Sequence, residues 1–171
     1  SLFPELQCVL AVKDGVLYGT AKKSPAPTLP SLESPYRAWT VLDDSMSGAA
    51  TNKIAKEGNM IYVATEDNIL KFSFSSKGGG CGTIESVEKI LKDPTPWNGE
   101  VTSLVVAPFL ESLFVGTSGA RAAQVSLCDG SVITLDEVAV GTSTMTMLWV
   151  EKWRALVTAD SVAVYLVFYS C

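Results

Sequence analysis

Four times along this 171-residue chain, a short apolar run ends on a small or apolar residue followed by threonine. The four runs are Leu17-Tyr18-Gly19-Thr20, Ile61-Tyr62-Val63-Ala64-Thr65, Leu113-Phe114-Val115-Gly116-Thr117 and Ala155-Leu156-Val157-Thr158. Their threonines stand 45, 52 and 41 residues apart. A repeat of that length, written in β-branched and aromatic residues, predicts successive small antiparallel sheets and not a helical array.

The same local order surrounds each threonine: an apolar strand, a break, the threonine-ending strand, a second break, then an alternating strand. In the second unit Asn52 to Ala55 leads through Lys56–Asn59 into Met60 to Thr65, and Glu66-Asp67-Asn68 turns into Ile69 to Phe74. There Leu70, Phe72 and Phe74 alternate with Lys71 and Ser73, the period of a half-buried strand. Thr83 to Lys92 has helix-like spacing at Ile84, Val87, Ile90 and Leu91, but the repeat asks for an outer strand at that place. A strand is expected.

The third unit runs Val101 to Ala107, a break at Pro108–Glu111, Ser112 to Thr117, Arg121 to Cys128, and Val132 to Val140. Asp129-Gly130 between its last two strands predicts a type I′ hairpin, whose two central residues both need positive φ. The first unit has Val9 to Val12, the turn Lys13-Asp14-Gly15, Val16 to Thr20, and a strand over Tyr36 to Leu42. Between the last two lies Ser24 to Pro35, where four prolines in twelve residues predict an extended loop. The fourth unit has Met145 to Val150, the break Glu151-Lys152-Trp153, Arg154 to Thr158, and Ser161 to Phe168, and it lacks an outermost strand. Ser1 to Glu5 could close it only weakly, because Pro4 removes a ladder donor.

These observations predict an all-β fold: a β-propeller-like array of about four antiparallel four-stranded blades. The units fall near 6–50, 51–100, 101–142 and 143–171, forming one propeller domain or part of a larger one. An uncovered edge strand at Ser161 to Phe168 would template aggregation, so a partner strand from another chain or from the parent protein is expected on it.

Chemistry is bounded by what is missing. The chain contains no histidine, which removes the commonest general base, imidazole metal ligation and the Ser-His-Asp arrangement. The acidic pairs Asp43-Asp44, Glu66-Asp67 and Asp136-Glu137 fall at expected turns, and Gly78-Gly79-Gly80 lacks the Gly-Lys-Ser/Thr that follows in a phosphate loop. A net charge of −5 argues against a nucleic-acid surface, and no apolar run is long enough for a membrane-spanning helix. No catalytic residue, cofactor or metal site is expected.

Four cysteines, Cys8, Cys81, Cys128 and Cys171, are candidates for disulfides; their number allows three pairings, and free thiols are the alternative. Of the four tryptophans, Trp39 and Trp149 lie on expected strands and read as core. Trp97 and Trp153 lie at breaks and are the candidate protein-binding residues.

The third and fourth units resemble the last blades of semaphorin and plexin propellers. The likeness is carried by Val101 to Val106, the Phe-Val-Gly-Thr-Ser-Gly element at Phe114 to Gly119, the strand Ala122 to Leu127, and the strand pair within Arg154 to Val167, with Cys171 beyond it. Met60 to Phe74 is similar to the blade core of that family. The resemblance implies a secreted or extracellular recognition module that binds another protein or another chain of the same assembly, with Cys171 placed like the cysteine that opens a disulfide-rich module. The chain departs from it in having too few units for a seven-bladed ring and no Asn-x-Ser/Thr sequon. Two other expectations stand beside this one: an intracellular scaffold propeller with reduced cysteines, and a histidine-free hydrolase using carboxylates on the propeller face.

Overall fold

The computed structural model describes residues 8–21, 38–45, 53–65, 68–75, 81–92, 97, 100–119, 122–135 and 146–169, together with the backbone of a two-residue strand at the amino end. The described residues form four antiparallel sheets in chain order, two short 3₁₀ turns and no α-helix. Sheet I holds β1 (Leu2–Phe3), β2 (Cys8–Lys13), β3 (Val16–Ala21) and β4 (Thr40–Asp43). Sheet II holds β5 (Lys53–Glu57), β6 (Met60–Ala64), β7 (Ile69–Ser75) and β8 (Thr83–Lys89). Sheet III holds β9 (Val101–Ala107), β10 (Ser112–Thr117), β11 (Ala122–Ser126) and β12 (Val132–Leu135), and sheet IV holds β13 (Thr146–Val150), β14 (Ala155–Ala159) and β15 (Val164–Phe168).

Within each sheet the strands lie side by side in sequence order, the arrangement of a propeller blade. The segment with ambiguous periodicity is strand β8, as the repeat required. Among the described residues sheet IV has three strands, with β15 at its edge. The amino end does not complete it: Leu2 and Phe3 pair with Val9 and Cys8 of sheet I. The Pro-rich segment 24–35, the Gly78–Gly80 loop, and the acidic pairs Glu66-Asp67 and Asp136-Glu137 lie outside the described residues.

Consecutive sheets are joined through three apolar clusters. Between I and II, Cys8, Leu10 and Leu17 meet Ile61, Val63, Phe72 and Phe74. Between II and III, Tyr62, Ala64 and Ile69 meet Leu104, Leu113, Val115 and Val125. Between III and IV, Ala107, Phe114 and Ala122 meet Met147 and Leu156. Successive side chains of a strand point to opposite faces, so β6 sends Ile61 and Val63 to one neighbour and Tyr62 and Ala64 to the other. Strand β10 divides in the same way, Leu113 and Val115 against Phe114. A strand sandwiched on both sides must be apolar at every position, which explains the continuous runs that precede Thr65 and Thr117.

All four repeat threonines are buried, a position a hydroxyl tolerates only when hydrogen-bonded. Thr65 shows how. Its Oγ1 donates to the carbonyl of Asn68 at 2.9 Å and accepts from the Asn68 N–H at 2.9 Å. Asn68 in turn accepts from the N–H of Leu91 and donates to its carbonyl, both at 3.1 Å, so one threonine turn also anchors the segment after β8.

The hairpin chemistry differs from the sequence expectation at one turn. The type I′ geometry is found at Asp14-Gly15, with φ of 50° and 75°. At Asp129-Gly130 only the glycine has positive φ, 73°, and the hairpin closes through Ser126 N–H to Ser131 O at 2.9 Å and Gly130 N–H to Ser126 O at 3.0 Å. The loop is therefore wider than a two-residue turn. Asp129 is used locally instead: hydrogen bonding from the Ser126 side chain first, and then from the Ser131 N–H and Oγ–H to Asp129 Oδ1, holds its carboxyl down at about 2. Gly130 is also a point of close approach, since a Cβ there would stand 2.2 Å from the carbonyl oxygen of Ile90.

Candidate protein-binding rim

The connections β9 to β10 and β13 to β14 are built alike. Each is a 3₁₀ turn, Pro108–Leu110 or Glu151–Trp153, followed by one non-glycine residue in the left-handed region: Glu111 (φ 46°) or Arg154 (φ 47°). That conformation costs an ordinary residue about 1 kcal/mol, so its recurrence marks a shared, held geometry. The hold is visible in both sheets. Glu111 N–H donates to Pro108 O at 3.0 Å and Arg154 N–H to Glu151 O at 3.1 Å. The carbonyls of the same residues accept from the chain beyond the third strand, Glu111 from Leu127 at 2.8 Å and Arg154 from Tyr169 at 2.9 Å.

Each pinned connector turns one aromatic ring outward. Phe109 is 47% exposed and Trp153 is 59% exposed. The Arg154 guanidinium carbon lies 4.1 Å from the centre of the Phe109 ring, a cation–π contact that ties the two connectors together. Phe109, Trp153 and Arg154 thereby form one patch at a single end of sheets III and IV. Below it, Phe114, Trp149 and Tyr169 pack with ring centroids 5.4 to 5.8 Å apart. The Trp149 indole N–H donates to the Glu151 carboxylate, fixing the acidic flank of the second connector.

The exposed thiol at this end is held protonated. Cys128 donates to Glu111 Oε2 at 3.1 Å, and that hydrogen bond with the carboxylate charge raises its pKa, opposite to what a nucleophilic cysteine needs. Asp43 of the acidic pairs serves a turn, accepting from the N–H and hydroxyl of Ser45. The patch offers apolar and cationic contact area, and the reactive group beside it is suppressed.

The structure separates the residues singled out by sequence. Trp153 lies on the rim. Trp97 does not: it is 8% exposed and packed in the cluster between sheets II and III, so no partner reaches it. A break in the strand pattern did not mean surface here, because the indole of Trp97 fills the space between two consecutive sheets. Trp39, expected in the core, is 51% exposed just before β4, while Trp149 is half-buried in the III–IV cluster. Cys8 and Cys81 are joined in a disulfide, Cys128 is free, and Cys171 lies outside the described residues. Sequence reasoning missed Phe109 and Arg154. The available signal was the four-residue break of equal length in both units, Pro108 to Glu111 and Glu151 to Arg154.

No family model matches the chain, and no curated protein matches it. Solved structures do. The WD40 β-propeller domain of Doa1 superposes with a TM-score of 0.59 and 14% identity, over 95% of this chain and 48% of that one. A gluconolactonase from Xanthomonas campestris gives a TM-score of 0.53 and 15% identity, over 92% of this chain and 55% of that one. The computationally designed Ika4 protein gives 0.56 and 9%, over 94% and 89%. The chain thus spans about half the length of the first two. At these identities the likeness is one of fold: the protein is an all-β, propeller-type array.

Proposed function

We propose that the chain is a non-catalytic recognition module that binds another protein through Phe109, Trp153 and Arg154 and works in an extracellular assembly. The observation that carries this reading is the convergence of two exposed aromatic rings and an arginine on connectors from different sheets. Trp and Arg are the residue types that concentrate binding energy at interfaces, and a pinned backbone presents them without an ordering cost. The Cys8–Cys81 disulfide supports an oxidising compartment. The resemblance of the third and fourth units to semaphorin and plexin blades belongs to the same reading, since those strands carry the rim.

The test is a surface-plasmon-resonance screen against secreted and cell-surface ectodomains, run with the native chain and with Phe109→Ala and Trp153→Ala. A specific partner whose affinity falls about tenfold or more in each variant is the expected result. A partner that binds both variants as tightly as the native chain overturns the rim. Native material with Cys8 and Cys81 reduced would favour the intracellular scaffold, and ester or lactone hydrolysis by the purified chain would favour the hydrolase.

A further inference from the structure

The same hydrogen bond, repeated in adjacent sheets, fixes the chain just before two of the four cysteines. In sheet III the chain leaving β11 is fastened by the Leu127 N–H to the carbonyl of Glu111 at 2.8 Å, and Cys128 is the next residue. In sheet IV the chain leaving β15 is fastened by the Tyr169 N–H to the carbonyl of Arg154 at 2.9 Å, and Cys171 follows two residues later. Leu127 and Tyr169 thus hold matching positions in two sheets that pack directly on each other. The Tyr169 ring points across the junction, 5.4 Å from the centre of the Phe114 ring. Packed sheets lie about 10 Å apart, and two residues of extended chain reach about 7 Å. A disulfide needs Cα atoms about 4–7 Å apart, so the chain beyond Tyr169 is long enough to bring Cys171 to Cys128. Cys128 is exposed and open to such an approach.

We propose that Cys128 and Cys171 form a second disulfide, which ties the end of the third strand of sheet III to the end of the third strand of sheet IV, beside the connectors that carry Phe109 and Trp153. The observed bond has this form. Cys8 lies in β2 of sheet I and Cys81 just before β8 of sheet II, with Cα atoms 5.0 Å apart, so that bond also crosses between consecutive sheets. Closure of the second bond releases both thiol protons and passes two electrons to an oxidising disulfide, that of a thiol oxidoreductase or of glutathione, which leaves as two thiols. The Glu111 carboxylate keeps the proton on Cys128, so Cys171 reacts first with the oxidant and Cys128 then displaces it from the mixed disulfide. Proximity offsets the small thiolate fraction in that second step. The pairing follows from the placement of Leu127 and Tyr169, whatever cysteines lie elsewhere in the protein, and it is independent of what the rim binds.

Alkylation of the native protein without reductant, followed by proteolysis and mass spectrometry, tests it. The expected result is one linked peptide pair carrying Cys128 and Cys171, next to a second pair carrying Cys8 and Cys81. Cys128→Ser and Cys171→Ser should each open the opposite thiol to the alkylating reagent, taking its labelling from near zero to near complete while the Cys8–Cys81 pair persists. The linked pair is read on the unmodified protein, so the outcome stands even where a substitution lowers the yield of folded chain. Label on both Cys128 and Cys171 in the native protein overturns the proposal. So does a link from either one to any other cysteine, in this chain, in a second copy or farther along a longer parent protein.

Discussion

Strands β10 and β15 are both short apolar runs, yet they live in different surroundings. In β10, Ser112–Thr117, every residue is buried, because sheets II and IV cover its two faces. In β15, Val164–Phe168, exposure alternates, because sheet III covers one face only. The side chains of β15 are as apolar as those of β10. An apolar strand in this repeat is written for a neighbour on each side, and position in the array decides whether the neighbour lies within the chain.

The sharpest way to break the contrast is Phe114→Ala. Phe114 is fully buried, stacked on Trp149 and tilted against Tyr169, so its removal should cost about 3–5 kcal/mol in equilibrium denaturation. Next comes the disulfide, which closes a 73-residue separation between sheets I and II. Replacing Cys8 and Cys81 by alanine should cost roughly 2–4 kcal/mol, with hydrogen exchange accelerating in sheets I and II more than in III and IV.

A third effect lies between the inner strands of III and IV, where the buried N–H of Met147 donates to Ser103 Oγ at 3.0 Å. Ser103→Ala leaves that donor without its acceptor and should cost about 1–3 kcal/mol by denaturant titration. In sheet II, burial first and then the charges of Glu57 and Glu88 push the Tyr62 phenol up to about 12. The neutral phenol is the form the fold favours. Its contribution is full below the unfolded value near 10 and is lost as pH rises through 12, by roughly 2 kcal/mol. Tyr62→Phe should remove that alkaline loss relative to the native chain. The smallest effect sharpens the comparison from the other side: Leu166→Ala on the open face of β15 should change monomer unfolding by less than about 1 kcal/mol.

Much of the architecture was legible because period-two alternation and turn residues are local. The stretch from Val101 to Thr117 reads off directly as strand, break, strand, and β9 and β10 begin and end where the residues change character. Asp129-Gly130 was misread as a type I′ turn because the dipeptide gives the allowed φ values but not the hydrogen-bonding pair that closes the hairpin. The rim was half legible. Trp153 stood out as a large aromatic at a break, but Phe109 and Arg154 acquire meaning only when two connectors 43 residues apart in sequence, at Glu111 and Arg154, are laid side by side. Trp97 misled for the converse reason: its local surroundings look like a loop, while its indole belongs to the core.

The sequence alone determined the repeat and the antiparallel sheets, since backbone hydrogen bonding and side-chain alternation are settled among near neighbours. Only the tertiary structure decided that Cys8 meets Cys81, that Trp97 is enclosed while Trp153 is presented, and that Arg154 reaches Phe109. Those outcomes depend on how one sheet is laid against the next. Such packing is fixed by the shapes of whole faces and is not encoded in the short segments that contribute to them.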